Sequence, residues 1–365
     1  MPYIQIGRLS VVAKQAPLRA STLGDEKARQ ESVGCREQVM CQPRWRYRRA
    51  ALLWLVVPLL VVGGLACACT RPPVPKAPPP RESAIADDAP ELSPEADPSP
   101  PILHVEGWHA PVPVPGEVNT AGAEDSPFVT PDGGTLYFFF TPDATIPPEQ
   151  QLLDGVTGIY CAQRDGDAWT QVERVILQRP GKLALDGCPT VAGDKLWFCS
   201  AREGYTGVNT FTAQRLEGGW GNVQYVGDLL VQDYGIGELH VVGDAIYYHA
   251  SRPGGKGQYD IWVTRRVGGA WQPPENVAAV NSPEVDGWPY VSPDGQALWF
   301  TRTYQGSPAI YRSQRTAETW SEPELIISQF AGEPSLDVKG NLYFVHHWIR
   351  DGIILDADLY VAYRQ

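Results

Sequence analysis

The chain has 365 residues, of which 36 are Gly and 34 Pro, with 10% aromatic residues. That much turn chemistry excludes a helical protein, and the length allows one large domain or two ordinary ones. Net charge is −12, from 10 Lys+Arg against 4 Asp+Glu up to residue 66 and 20 against 38 beyond it; an acidic body repels phosphate, which excludes a nucleic-acid partner, and otherwise serves solubility.

Taken in chain order, the first feature is an address. Arg44, Arg46, Arg48 and Arg49 precede an uncharged apolar run of 17 residues, Ala50 to Ala66, which contains Pro58 and Gly63-Gly64. The run is short for a membrane span, and the layout is that of a secretory signal over 40–66, with an uncleaved anchor as the competing reading. The only Met residues are Met1 and Met40. A start at Met40 gives a short basic region directly ahead of the run, so 1–39 reads as an upstream mis-start or a disordered extension. The end of the run, GLAC followed by AC, resembles the lipobox of bacterial lipoproteins. That resemblance implies lipid attachment at Cys67, or at Cys69, and a membrane partner through the lipid. The following residue, Ala68 or Thr70, is not Asp, so the outer membrane is expected rather than the inner. Residues 67–101 are Pro-rich and acidic with few large apolar side chains, and read as an extended linker.

From residue 102 onward the chain repeats. An aliphatic residue followed by two aromatic ones recurs at Leu136-Tyr137-Phe138, Leu196-Trp197-Phe198, Ile246-Tyr247-Tyr248, Leu298-Trp299-Phe300 and Leu342-Tyr343-Phe344, each after a turn such as PDGG or PDGQ. A Trp after a Gly-rich or charged turn recurs at Trp169, Trp220, Trp271 and Trp320, at spacings of 51, 51 and 49. Between these markers lies a third strand: GIYCAQR, NTFTAQR, DIWVTRR, AIYRSQR, DLYVAYR. Four short strands per unit, repeated, predict propeller blades, because one blade cannot cover both of its faces. The last unit stops after its third strand, while Trp108 stands ahead of the first unit with no blade of its own. WHAPVPVPGEVNT matches WQPPENVAAVNS at 271–282. The expectation is therefore an all-β, five-bladed β-propeller over 102–365, with the N-terminal strand closing the last blade. Each PDG triplet is a hairpin hinge: Pro presets the entry, Asp bonds back to the turn, and Gly supplies positive φ.

The stretch SRPGGKGQYDIWVTRRVGGAWQPPENVAAVNSPEVDGWPYVSPDGQALWF is similar to the TolB-type, WD40-like propeller repeat of bacterial envelope proteins. The likeness is fair for blades one and five and weak for blade two, which lacks PDG. It implies residence in the bacterial envelope and non-catalytic binding of an envelope protein, a peptide or a glycan.

Blade entries carry Asp125, Asp186, Glu238, Asp286 and Glu333. As a ring of channel carboxylates they could hold a cation or a sugar, or serve as acid and base; the plainer reading is that each bonds to its adjacent turn. Five-bladed propellers include glycosidases that use such carboxylates, so a glycoside hydrolase is the alternative function. No cofactor is expected, although the ring is compatible with a channel cation. Trp288, beside Asp286, is the aromatic residue expected to face a ligand. The histidines, His104, His109, His240, His249, His346 and His347, show no metal-motif spacing and read as surface or packing residues. Cys188 and Cys199, on neighbouring strands of blade two, are placed for a disulfide that an oxidising envelope would permit; pairing of Cys161 with Cys188 and no disulfide are the other readings.

Overall fold

The computed structural model describes residues 79–91, 93–226, 237–317 and 319–365. The readings for 1–39, the signal over 40–66 and the lipid sites Cys67 and Cys69 lie outside the described residues. No helix among the described residues is long and apolar enough to cross a membrane.

Five separate antiparallel sheets follow one another along the chain. Blade one is Ala123–Val129, Thr135–Thr141, Gly158–Asp165 and Ala168–Arg174; blade two is Ala184–Ala192, Lys195–Arg202, Val208–Leu216 and Gly219–Tyr225. Blade three runs from Leu239–Val242 through Ala245–Ala250 and Asp260–Val267 to a broken outer edge, Ala270–Trp271 and Glu275–Asn276. Blade four is Asp286–Val291, Ala297–Tyr304, Ser307–Gln314 and Glu324–Ser328, and blade five is Ala331–Leu336, Leu342–Arg350 and Ile353–Ala362.

The hinges form as the turn residues dictate. Asp132 Oδ1 accepts from Gly134 N at 3.0 Å and from Thr130 Oγ1 at 2.6 Å, and Gly133 sits at φ 73°. Asp294 does the same in blade four, with Gly295 at φ 71°. In blade five Asp337 replaces the motif, accepting from Lys339 N and Asn341 N around Gly340 at φ 78°. Only glycine adopts such φ values without steric cost.

The front of the chain closes the propeller. Val112–Pro113 pairs with Val361 and Tyr360 as the fourth strand of blade five, and Trp108 bridges Arg364. The same segment also adds Ile102–Leu103 to the outer edge of blade four, which the sequence did not suggest. The two sequence markers meet across blade boundaries. Trp169 packs on Tyr343 (ring centroids 6.0 Å apart), Trp220 donates its indole N–H to the Tyr137 hydroxyl (3.1 Å), Trp320 packs on Tyr247 (6.4 Å) and Trp108 on Trp299 (5.8 Å). The outer Trp of each of these blades thus covers the first aromatic of the preceding blade's LYF-type strand. Trp108 has this role for blade five, and edge-on geometry of this kind adds to the area it buries.

The linker expected over 67–101 differs in its second half: from residue 79 onward the segment is seated on the propeller. Arg81 is buried, with its guanidinium on Glu124 (3.1 Å) and donating to Glu117 O. It lies 5.5, 5.2 and 5.9 Å from the ring centroids of Phe138, Phe140 and Tyr160. Asp97 accepts from His346 Nε2 at 2.8 Å. Composition concealed this, because a few single residues hold the strap: the charged Arg81 and Asp97, and Ile85 packed against the blade-one core.

Candidate functional site

The first strands of all five blades line one small cavity of about 30 Å³, bounded by Ser126, Thr190, Glu238, Trp288 and Glu333 among others. Four of these strands carry a bulge, with register slipping between Asp125 and Phe128, Gly187 and Thr190, Gly287 and Tyr290, and Gly332 and Ser335. The residue inside each bulge precedes a proline and has positive φ: Ser126 (52°), Cys188 (54°), Trp288 (50°) and Glu333 (57°). Residues other than glycine avoid that region, so the bulge holds each against a backbone cost and re-aims its side chain. In blade three the matching residue is Glu238, two before His240, which pairs with Tyr247 as Tyr290 pairs with Trp299.

Register corrects the expected ring of equivalent acids. Asp186 and Asp286 share one position with Glu124. Asp125 is one residue further along, where the other blades have Gly187, Gly237, Gly287 and Gly332. Glu238 and Glu333 are two further along, level with Ser126, Cys188 and Trp288. The misreading came from aligning on the acid, whereas the proline marks the register.

The positions have unlike surroundings. Asp186 binds Arg202 at 2.7 Å and Asp286 binds Arg302 at 2.6 Å. Burial raises the Asp286 carboxyl and Arg302 opposes it. None of the ion pairs among the described residues involves Asp125, Glu238 or Glu333. Their donors are on Ser126: its N–H reaches Asp125 Oδ1 (2.7 Å) and Glu333 Oε2 (3.1 Å), and its hydroxyl reaches Glu238 Oε1 (2.6 Å). Burial, then the Asp125 charge, pushes Glu238 up to about 7. Burial, then Asp125 and Glu238, holds Glu333 well above the usual carboxylate range. Three carboxylates out of water cannot all stay charged without a proton or a cation among them.

Sequence reasoning passed over His347, whose strand carries it to this cluster. One ligand atom each from Asp125, Glu333 and His347 lies within 4.8 Å of the others. His346, its neighbour, faces the other way, onto Asp97. Burial lowers the His347 imidazole, and lowers His240 to about 4 and His249 to about 3. Trp288 is half-buried, with its ring 4.6 Å from that of His249, whose Nδ1 accepts from Trp288 N at 3.1 Å. The three described cysteines are free; Cys188 and Cys199 are in contact, and Cys161 stands apart on blade one, its thiol pushed up to about 11 by burial.

The fold defines the class: a five-bladed β-propeller closed by its N-terminal strand. No protein-family model matches the chain, and no curated protein does. Among solved structures, TolB from Acinetobacter baumannii is similar at 12% identity and TM-score 0.41, over 68% of this chain and 56% of that one. The chain thus spans little more than half of TolB. An endo-arabinase from Bacteroides thetaiotaomicron is similar at 12% identity and TM-score 0.44, over 70% and 96%. An alpha-L-arabinofuranosidase from Podospora anserina, solved with cellotriose, is similar at 10% identity and TM-score 0.42, over 70% and 95%. The propeller assignment rests on the strand pairing of this chain.

Proposed function

We propose that the protein is a lipid-anchored propeller of the bacterial envelope, attached through Cys67 or Cys69, which binds a protein, peptide or glycan through one face without catalysis. The observation that carries this reading is an exposed aromatic pair on blade two that takes no part in lining the small axial cavity. Aromatic surface lies outside it. Tyr205 and Tyr225 are 46% and 40% exposed, with rings 5.2 Å apart, a platform suited to a sugar or peptide.

Glycoside hydrolysis is the second reading. It draws on Glu238, raised to about 7, since a carboxyl that keeps its proton near neutral pH can act as the acid in glycosidic cleavage. Both readings meet in one experiment with the full chain: binding to glycans and envelope peptides, alongside hydrolysis of arabinan and aryl glycosides. Binding that disappears in Tyr205→Ala/Tyr225→Ala, without turnover, supports the first. Turnover abolished by Glu238→Gln overturns it in favour of the second.

A further inference from the structure

We infer that Asp125, Glu333 and His347 form a site for one divalent transition-metal ion, of the Mn²⁺ to Zn²⁺ kind, at the propeller axis. The inference goes beyond the proposed binding role and stands whether or not a face of the propeller takes an organic ligand.

Two independent observations meet here. The first is the carboxylate pair, delivered by bulges in blades one and five and free of the arginines that neutralise Asp186 and Asp286. The second is His347, 93% buried by its 7% exposure, with neither ring nitrogen hydrogen-bonded. Its main-chain N–H donates to Phe330 O at 3.0 Å, which leaves the ring to face the carboxylates. A buried imidazole without partners forgoes hydrogen bonds it would make in water, and a metal ion replaces them. The cluster supplies two oxygens and one nitrogen within 4.8 Å of one another. Ligands at about 2.1 Å from a common ion in a tetrahedral arrangement lie about 3.4 Å apart, so binding draws the side chains together by up to about 1.4 Å.

The donor set points to the kind of ion. Imidazole with carboxylates suits Mn²⁺ to Zn²⁺, while Ca²⁺ prefers a larger shell built from oxygen alone. Glu333 also lines the small axial cavity of about 30 Å³, which has room for a water beside that carboxylate. Ser126 orients the site, since its N–H holds one oxygen of each carboxylate. Its hydroxyl fixes Glu238 beside Glu333, an outer partner of the sort that tunes metal affinity.

The test is equilibrium dialysis of the untagged full chain, stripped with chelator, against Zn²⁺, Mn²⁺ and Ca²⁺ separately. The expected result is about one equivalent of Zn²⁺ or Mn²⁺, no stoichiometric Ca²⁺, and a rise in melting midpoint on loading. Affinity falls at least about tenfold in His347→Ala and in Asp125→Asn. Glu324→Gln, on the outer edge of blade four, keeps it. Circular dichroism of the stripped variants separates loss of ligand from loss of fold, and Glu333→Gln provides a third variant should one fail to fold. Undiminished binding in folded His347→Ala, binding of Ca²⁺ alone, or no binding by the stripped wild type overturns the inference.

Discussion

Blades four and one meet the same electrostatic problem with different parts of the chain. In blade four, Asp286 is neutralised by Arg302 from the facing strand, whose guanidinium lies 5.3 Å from the ring of Phe300 and 5.0 Å from that of Tyr311. Blade one has Glu124 at the position of Asp286, and Phe138 and Tyr160 at those of the two rings, but Phe140 stands where Arg302 would be. The guanidinium comes instead from Arg81, on the strap. Blade five is the complement: His346 occupies the cation's place opposite Ala331, and the strap provides the acid, Asp97. Blade two, with Asp186, Arg202, Phe198 and Phe211, is self-sufficient like blade four. The two blades that flank the seam therefore depend on residues outside the repeat.

The sharpest way to break this comparison is Arg81→Ala. It leaves Glu124, already raised by burial, without its cation and held by Thr120 alone, and the expected loss is about 3–5 kcal/mol in urea denaturation, as for other buried pairs cut on one side. A loss below about 1 kcal/mol would show that blade one does not need the strap. Installing blade four's solution sharpens the test: Phe140→Arg in the Arg81→Ala background should return at least about 1 kcal/mol, and a double-mutant cycle measures the coupling. A smaller effect follows at blade five, where burial, then Asp356 and the strap's Glu91, push Asp358 up to about 9 from 3.8. The folded state then holds a proton that the unfolded chain lacks, so stability falls as pH rises from about 4 through about 9. Asp358→Asn should flatten that slope and be more stable than wild type at pH 8 by about 1–2 kcal/mol in thermal or urea melts. The smallest effect belongs to the exposed Arg312–Glu324 pair of blade four, where Glu324→Gln should change stability by less than about 0.5 kcal/mol.

The propeller was legible because its signals are local and repeated. A Pro-Asp-Gly triplet makes its hinge without help from elsewhere, and each Trp recurs at the blade period because it covers the same strand of its neighbour. The axis was only half legible. Asp125, Glu238 and Glu333 come together around Ser126, whereas Asp186 and Asp286, which the sequence groups with them, sit one or two positions away in register and pair with arginines. A bulge adds a residue to one strand without a composition cue of its own; the proline after it was the cue. Alternation puts His346 and His347 on opposite faces and argues against a shared metal, but it does not show that His347 alone meets carboxylates delivered by blades one and five. The strap was hidden for a different reason: Arg81 and Asp97 act singly, in a segment whose average composition describes a tether.

Closing the last blade with Val112–Pro113 also sets an order of events. The partner strand, Ile353–Ala362, lies beyond all four other blades along the chain, so the pairing joins an early-made strand of the propeller to a late-made one. Contacts so distant in sequence form late and slow the folding of the whole. During synthesis the opening strand must wait without a partner while four blades assemble, and its short length and two flanking prolines, Pro111 and Pro115, restrain it from pairing with a strand of some other molecule meanwhile.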